Sequence, residues 1–332
     1  MSTLYQLTVA LGDGIVAFVA NPRRGNWQGL IPIVPTPFTV SGELDLPSLR
    51  RVVDYLIDAG VDGIAVLGVA SEVYSLTDAE RHKVIETAVN QAAGRLPVLA
   101  GSSHNSGEAA AAVARDAAGA GADGLLVMPP YFVKPTLGAL AGYYRAIAAA
   151  VELPIMIQDN PAWTGVTLPI ETYRELSDTP SIVYAKIEVP HPPTKIREVR
   201  LALGDRYTIL GGQAGNFLLE ELEAGAVGTM PAAIMPQVYA RVLEDWNKGD
   251  KAGARAIFNR YHPAIRVTAQ QSVGFAMVKH LLWTLGVIAS PRVRNPLRQL
   301  SDADRRDLEA VIDDLDLRTV MRDGLAAVSP GA

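Results

Sequence analysis

From Gly29 onward the chain repeats one pattern: a short apolar run, a turn, then a longer stretch with apolar positions at helical spacing. The apolar runs are GLIPIVPTPF (29–38), GIAVLG (63–68), PVLAGSS (97–103), GLLVMPP (124–130), PIMIQDN (154–160), IVYAKIE (182–188), YTILGG (207–212) and GTMPA (228–232). Helical segments such as 45–60, 77–94 and 106–121 lie between them, opening on Asp, Thr or Ser and closing on Gly, which is cap chemistry. Eight such units over roughly 220 residues predict an α/β fold, a (β/α)8 TIM barrel, rather than an open doubly wound sheet. Beyond the eighth run, helical patterns at 235–249, 250–262, 265–287 and 301–325 predict a C-terminal helical extension packed on the barrel. The expected organisation is an N-terminal extension at 1–27, a barrel at 28–249 and C-terminal helices at 250–327.

Composition narrows the function classes. The 332 residues are 49% hydrophobic, which is ample for a large core, and the net charge of −5 gives no electrostatic footprint for nucleic acid. Cysteine is absent, so a disulfide framework, a thiolate nucleophile and a cysteine metal site are all excluded. The five histidines show neither H-x-H nor H-E-x-x-H spacing, so no metal site is expected. No apolar run reaches the roughly 18 residues that a bilayer span requires. The opening MSTLYQLTVALGDGIVAFVA lacks a basic leader and is interrupted by Asp13, so no signal peptide is expected and a cytoplasmic location is.

One strand carries chemistry. In SIVYAKIEVP (181–190) a lysine sits among apolar residues, where a buried cation loses several kcal/mol of hydration. Alternation places Val183, Ala185 and Ile187 on one face and Tyr184, Lys186 and Glu188 on the other. The small and branched set suits the helix side, so the polar set points into the barrel and toward its C-terminal end, where barrel enzymes place their sites. In PIMIQDN the same reading sends Met156, Gln158 and Asn160 inward and leaves Ile155, Ile157 and Asp159 outward. A confined lysine with a lowered pKa is a free amine that can attack a ketone and form an imine. The competing reading is a structural Lys186–Glu188 ion pair, which favours the ammonium instead; Glu188 is also placed to lie above an imine and move protons.

Several segments together resemble one family: PTPF in strand 1, GVASE (68–72) after strand 2, PPYFVKP after strand 4, NPAWTG after strand 5, the strand 6 lysine and AGAVGTM entering strand 8. Over about residues 28–290 the chain is similar to the class I, Schiff-base-forming pyruvate aldolases, the superfamily of dihydrodipicolinate synthase and N-acetylneuraminate lyase. The resemblance implies a barrel with C-terminal helices and a lysine imine with pyruvate or another 2-oxo acid. It also implies no metal or other cofactor and a homo-oligomer, dimer or tetramer. Lys186 falls at the family's lysine position.

The departures are concentrated in the proton relay. Val69 and Ala70 stand where the family's G-[ST]-T-G-E loop has two hydroxyl residues. Tyr131 and Phe132 replace a tyrosine pair whose second member reaches a neighbouring subunit's site. Gln158, 28 residues before Lys186, takes the place of the proton-shuttling tyrosine, and glutamine has no acid–base chemistry near neutral pH. Trp163 replaces an arginine that the synthases use for a carboxylate.

The expected function is therefore a lyase that forms a Lys186 imine with a 2-oxo acid and supports aldol cleavage or addition, dehydration or decarboxylation. Dihydrodipicolinate synthase activity itself is not expected. The alternative is a catalytically impaired barrel that binds 2-oxo acids as a regulatory protein. The candidate catalytic residues are Lys186, Gln158, Glu188 and Tyr131. The candidate substrate-binding residues are Val69, Ala70, Ser71, Phe132, Asn160, Trp163, Gly212 and Met230. The amides of Ala70 and Ser71, with the Ser71 hydroxyl, suit an anion. Tyr74 and His104 are further proton carriers near the same end, and the turn GGQAGN (211–216), which has no basic residue, reads as close packing rather than a phosphate loop.

Overall fold

The structure is a computed structural model that describes residues 27–271 and 273–325; residues 1–26, Ser272 and residues 326–332 lie outside the described residues, and with them nearly all of the expected N-terminal extension and the last two residues of the expected C-terminal helices. Eight parallel strands form the barrel: β1 Gly29–Leu30, β2 Ile64–Val66, β3 Val98–Gly101, β4 Gly124–Val127, β5 Ile155–Asp159, β6 Ile182–Ile187, β7 Thr208–Leu210 and β8 Gly228–Thr229. β2 to β7 pair in sequence order, β1 pairs β8, and the bridges Ile33–Ala65 and Gly211–Thr229 close the two seams. The expected TIM barrel is present. Helices α1 Leu46–Asp58, α2 Asp78–Ala92 and α3 Gly107–Gly119 follow the first three strands. Each starts at an expected cap: Asp45 accepts from the Ser48 amide, Thr77 forms a reciprocal box with Glu80, and Ser106 accepts from the Ala109 amide. The ring continues with α4 Leu137–Ala148, the short α5 Pro161–Thr164, α6 Ile170–Leu176, α7 Pro192–Leu203 and α8 Leu218–Glu223.

The barrel interior is a small cluster separate from the main core, built from inward residues such as Ile33, Leu99, Leu126, Met156, Leu210 and Met230. Trp27 closes the end away from the site. Its ring stacks on Tyr184 with centroids 4.4 Å apart, and Gly124 is required beneath it because a β-carbon there would lie 1.7 Å from the indole. Strand β6 departs from simple alternation at one point. Ile155 pairs with Ile182 but Met156 pairs with Tyr184, so Val183 is an extra residue. Val183 therefore packs against the interior cluster instead of facing the helices, while Ala185 and Ile187 join the outer core as expected. The bulge sets the phase that sends Tyr184 and Lys186 inward.

The C-terminal helices differ from the sequence pattern in their breaks. α9 Pro236–Asn247 matches. α10 Lys251–Thr268 runs through Pro263, where a break was expected: Phe258, Tyr261, Ala264 and Ile265 are buried on both sides of it, and their packing outweighs the lost hydrogen bond. α10 ends at its cap Ala269, and Gly274 opens α11 Gly274–Thr284, where a β-carbon would meet the Thr268 carbonyl at 2.1 Å. The last segment divides into α12 Asp302–Asp314 and α13 Leu317–Asp323 at Asp316, which has φ +47°. Among the described residues no helix is long and apolar enough to cross a membrane.

A buried ion pair fastens this helical region to the barrel. Glu72, from the β2 loop, meets Lys279 of α11, and neither side chain is exposed. Lys279 also donates to the Arg292 carbonyl at 3.0 Å and lies 4.1 Å from the Phe38 ring centre; burial pushes its pKa down to about 8 despite Glu72. Arg294 adds its amide to Glu72 (2.9 Å) and its guanidinium to Glu80, the Ser75 carbonyl and the Gly42 carbonyl. Removing one member of a buried pair strands the other charge. Lys279→Met is expected to cost about 3–5 kcal/mol in urea unfolding. Lys279→Met combined with Glu72→Gln recovers part of that loss, and a strictly additive double mutant would refute the pairing.

Candidate active site

The site is assembled by the ends of β5, β6 and β7. Gln158 and Lys186 are register partners on β5 and β6, and Lys186 pairs with Leu210 on β7. The Lys186 side chain is 4% exposed, and its Nζ lies 3.2 Å from Glu188 Oε1. Of the two readings open for this lysine, the structure contains the ion pair. Glu188 stays in strand-like geometry just past β6 because its amide donates to the Asp159 carbonyl at 2.9 Å.

Glu188 is the most heavily coordinated group in the site. Its Oε2 accepts from Gln158 Nε2 at 2.6 Å and from Asn160 Nδ2 at 2.9 Å, and its Oε1 accepts from the Gln213 amide at 2.9 Å. Burial raises its proton affinity, but Lys186 and the Gln213, Gln158 and Asn160 donors outweigh it, and the carboxyl titrates below its ordinary value. Gln158 is thus hydrogen-bonded directly to a carboxylate.

The turn after β7 is shaped around that carboxylate. A β-carbon on Gly212 would lie 2.4 Å from Glu188 Oε1, so Gly212 sits behind Glu188 and is not among the residues lining the cavity. Gln213 and Ala214 both adopt left-handed backbone, at φ +49° and +56°. Such geometry costs about 1–2 kcal/mol per non-glycine residue. Three bonds hold it: Gln213 Nε2 donates to the Glu188 and Val189 carbonyls at 2.9 and 2.5 Å, and the Tyr239 hydroxyl donates to the Ala214 carbonyl at 2.7 Å. The glycine pair of this turn makes room for side chains, as the sequence suggested.

A cavity of about 270 Å³ opens over Lys186. Gln158, Asn160, Glu188, Val69, Ala70, Trp163 and Met230 line it, all expected from the sequence. Its remaining polar wall was not expected: Gln213, Asn216, Gln270 and Gln271. Gln213 and Asn216 had a signal, two amides in a glycine turn beside β7, but the glutamines of the turn after α10 carry no periodic or motif signal. A second, more apolar cavity of about 410 Å³ shares Val69, Gln158 and Trp163 with the first and is lined by Tyr74, Arg81, Met128 and Tyr131 among others. Trp163 stands between Tyr74 and Phe275, with ring centres 6.4 and 5.8 Å away.

The other candidates are placed as follows. Ser71 is fully buried, its hydroxyl donating to the Val34 carbonyl at 2.5 Å and accepting from the Gly68 amide at 3.2 Å, while its own amide donates to the Gly68 carbonyl at 3.0 Å. All its polar groups are engaged. Val69 and Ala70 open the same 3₁₀ turn, Val69–Ser71, where first-turn amides have no internal acceptor. Tyr131 reaches the second cavity, not the lysine cavity. Phe132 is 82% exposed and lines neither. Tyr74 lines the second cavity, and His104 lines neither. Asp159 faces the helices, where it accepts from the Leu168 amide and the Tyr173 hydroxyl, and burial pushes its pKa up to about 6. Among the described residues no three His, Asp or Glu side chains gather as a metal-ligating group.

The profile of the dihydrodipicolinate synthetase family matches residues 26–315. The chain belongs to that family. It is 37% identical to an L-2-keto-3-deoxyarabonate dehydratase of Azospirillum brasilense, over 90% of this chain and 96% of that protein. It is 32% identical to a 4-hydroxy-tetrahydrodipicolinate synthase of Aquifex aeolicus, over 86% of this chain and 97% of that one. Among solved structures, the dihydrodipicolinate synthase of Aquifex aeolicus superposes with a TM-score of 0.83 at 32% identity, covering 88% of this chain and 99% of the other. That of Rhodopseudomonas palustris gives 0.81 at 29% identity, covering 88% and 98%. This family member is a lyase of the class I aldolase type.

The glycine turn offers a direct check. Gly212→Ala forces a β-carbon into Glu188 and is expected to destabilise by about 1–3 kcal/mol. Gly138→Ala in α4 meets nothing within 4 Å and is expected to stabilise by about 1 kcal/mol. Equal denaturation midpoints for the two variants would contradict the packing described.

Proposed function

We propose that this lyase is a dehydratase acting on a 2-oxo acid that carries a hydroxyl two carbons from the carbonyl, with Glu188 as its acid–base group. The observation behind this reading is the Gln158–Glu188–Lys186 cluster: one carboxylate, oriented by the glutamine that the resemblance puts at the family's tyrosine position, lies within 3.2 Å of the lysine. Similarity to a protein named as a dehydratase supports the choice among lyase reactions.

The ion pair suits this chemistry at each stage. Lys186 starts as an ammonium and can pass a proton to Glu188, 3.2 Å away, leaving the free amine. The amine attacks the substrate C2 carbonyl, and water leaves with that proton. The iminium that forms is again a cation, so the same carboxylate balances its charge. Glu188 then removes a C3 proton, giving the enamine. Returning that proton to the C4 hydroxyl releases water and leaves a conjugated iminium. Hydrolysis of the iminium restores Lys186. The substrate carboxylate fits the free amides of Val69 and Ala70, and the amide side chains of Asn160, Gln213, Asn216, Gln270 and Gln271 suit the hydroxyls of its tail. A homo-oligomer that covers the exposed Phe132, Val133 and Leu137 fits the same reading.

The test combines trapping with turnover. Borohydride with a 2-oxo acid is expected to give a covalent mass increase that is lost in Lys186→Ala. Glu188→Gln is expected to keep the adduct, because the amine that forms it is untouched, while dehydration falls about 10²–10⁴-fold. Efficient condensation of pyruvate with aspartate semialdehyde, or full dehydration by Glu188→Gln, would overturn the reading. An adduct without turnover on any 2-oxo-3-deoxy acid would favour a binding role.

A further inference from the structure

Behind the glycine turn lies a second carboxyl that the mechanism above does not use. Glu221, on α8, is completely buried, and neither of its oxygens makes a well-formed hydrogen bond among the described residues, although the Gly212 amide is close enough to favour the anion. It is pressed against the turn so closely that a β-carbon on Gly211 would lie 1.7 Å from its Oε2. The next residue, Gly212, makes the equivalent close approach to Glu188. Successive residues of an extended chain face opposite ways, so the two carboxyls flank one glycine pair. Their surroundings are opposite in kind: Glu188 has Lys186 and three hydrogen-bond donors, and Glu221 has no counter-ion in contact.

A second buried orphan lies on the same side. Thr229 is the register partner of Gly211 across the β7–β8 seam, so its side chain shares the outward face that Glu221 occupies, and its hydroxyl is also buried without a partner. An ionised carboxylate with no cation in contact is costly in such a place, whereas a neutral acid beside a hydroxyl is not. The charged groups acting on Glu221 are Glu188 and Lys186 from the β6 side and Glu220 on its own helix. Arg200 of α7, which packs on α8, is engaged with Asp205 and with the carbonyls of Gly204, Tyr207 and Gly225.

We infer that Glu221 rests as a neutral carboxylic acid and acts as a positioning residue: by withholding a second negative charge it leaves Lys186 balanced by Glu188 alone and able to give up its proton. The inference rests on the proposed imine chemistry for its consequence, not for the protonation itself. Burial, and behind it Glu188, raise the Glu221 pKa to about 8 against the lowering effects of the Gly212 amide and Lys186. A neutral acid above its ordinary range ionises as pH rises through that value. The new anion then places a second negative charge on the far side of the glycine pair from Glu188 and Lys186.

The experiment measures the rate of borohydride trapping with pyruvate from pH 6 to 10 in the whole protein and in Glu221→Gln. The ratio of variant to wild-type rate is expected to grow about ten-fold between neutral and alkaline pH, because only the wild type gains a charge. Infrared difference spectra of the wild type are expected to show a protonated carboxyl band at pH 7.5 that disappears by about pH 9.5 and is missing in the variant. Parallel pH profiles, or no such band at pH 7.5, would overturn the inference. Should the variant fail to fold, the wild-type band decides alone, since Asp159, raised only to about 6, is ionised at that pH. Failure of pyruvate to trap at all would count against the imine reading and leave the infrared result standing.

Discussion

A cation and an anion buried side by side inside the barrel, Lys186 and Glu188, govern the layout of this site. Neither charge is tolerable there without the other. Everything around them serves the anion: Gln158 and Asn160 reach it from β5 and beyond, the Gln213 amide reaches it from the β7 turn, and Gly212 has no side chain so that it can fit. The left-handed backbone at Gln213 and Ala214 is a local cost accepted for the same end. A lysine alone would be driven neutral by burial; the carboxylate keeps the proton within reach and gives it a destination.

Much of this arrangement was legible in the sequence, for identifiable reasons. Period-two alternation located Lys186, Gln158, Asn160 and Glu188 on inward faces, and cap residues marked the starts of α1, α2 and α3. The Val183 bulge was not legible, because an extra residue in a strand leaves the composition of the strand unchanged and shows only in pairing. Pro263 misled for the opposite reason: the local penalty was visible and the tertiary packing that overrides it was not. The commitment of Ser71 to Val34 and Gly68 was hidden because a hydroxyl beside a site looks the same whether it faces a ligand or a carbonyl. Gln270 and Gln271 enter the cavity from a turn between two appended helices, which no barrel pattern places.

Those helices are part of the site and not only a covering. The turn after α10 supplies amides to the cavity, and Phe275 at the start of α11 extends the aromatic row of Tyr74 and Trp163. The same α11 carries Lys279, whose pairing with Glu72 ties it to the β2 loop that also presents Val69 and Ala70. The two sides of the cavity mouth are therefore held in a fixed relation by one buried pair. Rigid support of this kind keeps a small reacting centre aligned.

The bond from Gln158 to Glu188 also couples the two positions. A tyrosine placed at 158 would bring a second acid–base group while stripping the carboxylate of an amide donor, and removing the glutamate at 188 would leave the glutamine with nothing to orient. A substitution at either position is therefore felt at the other, and the pair behaves as one unit of the barrel mouth.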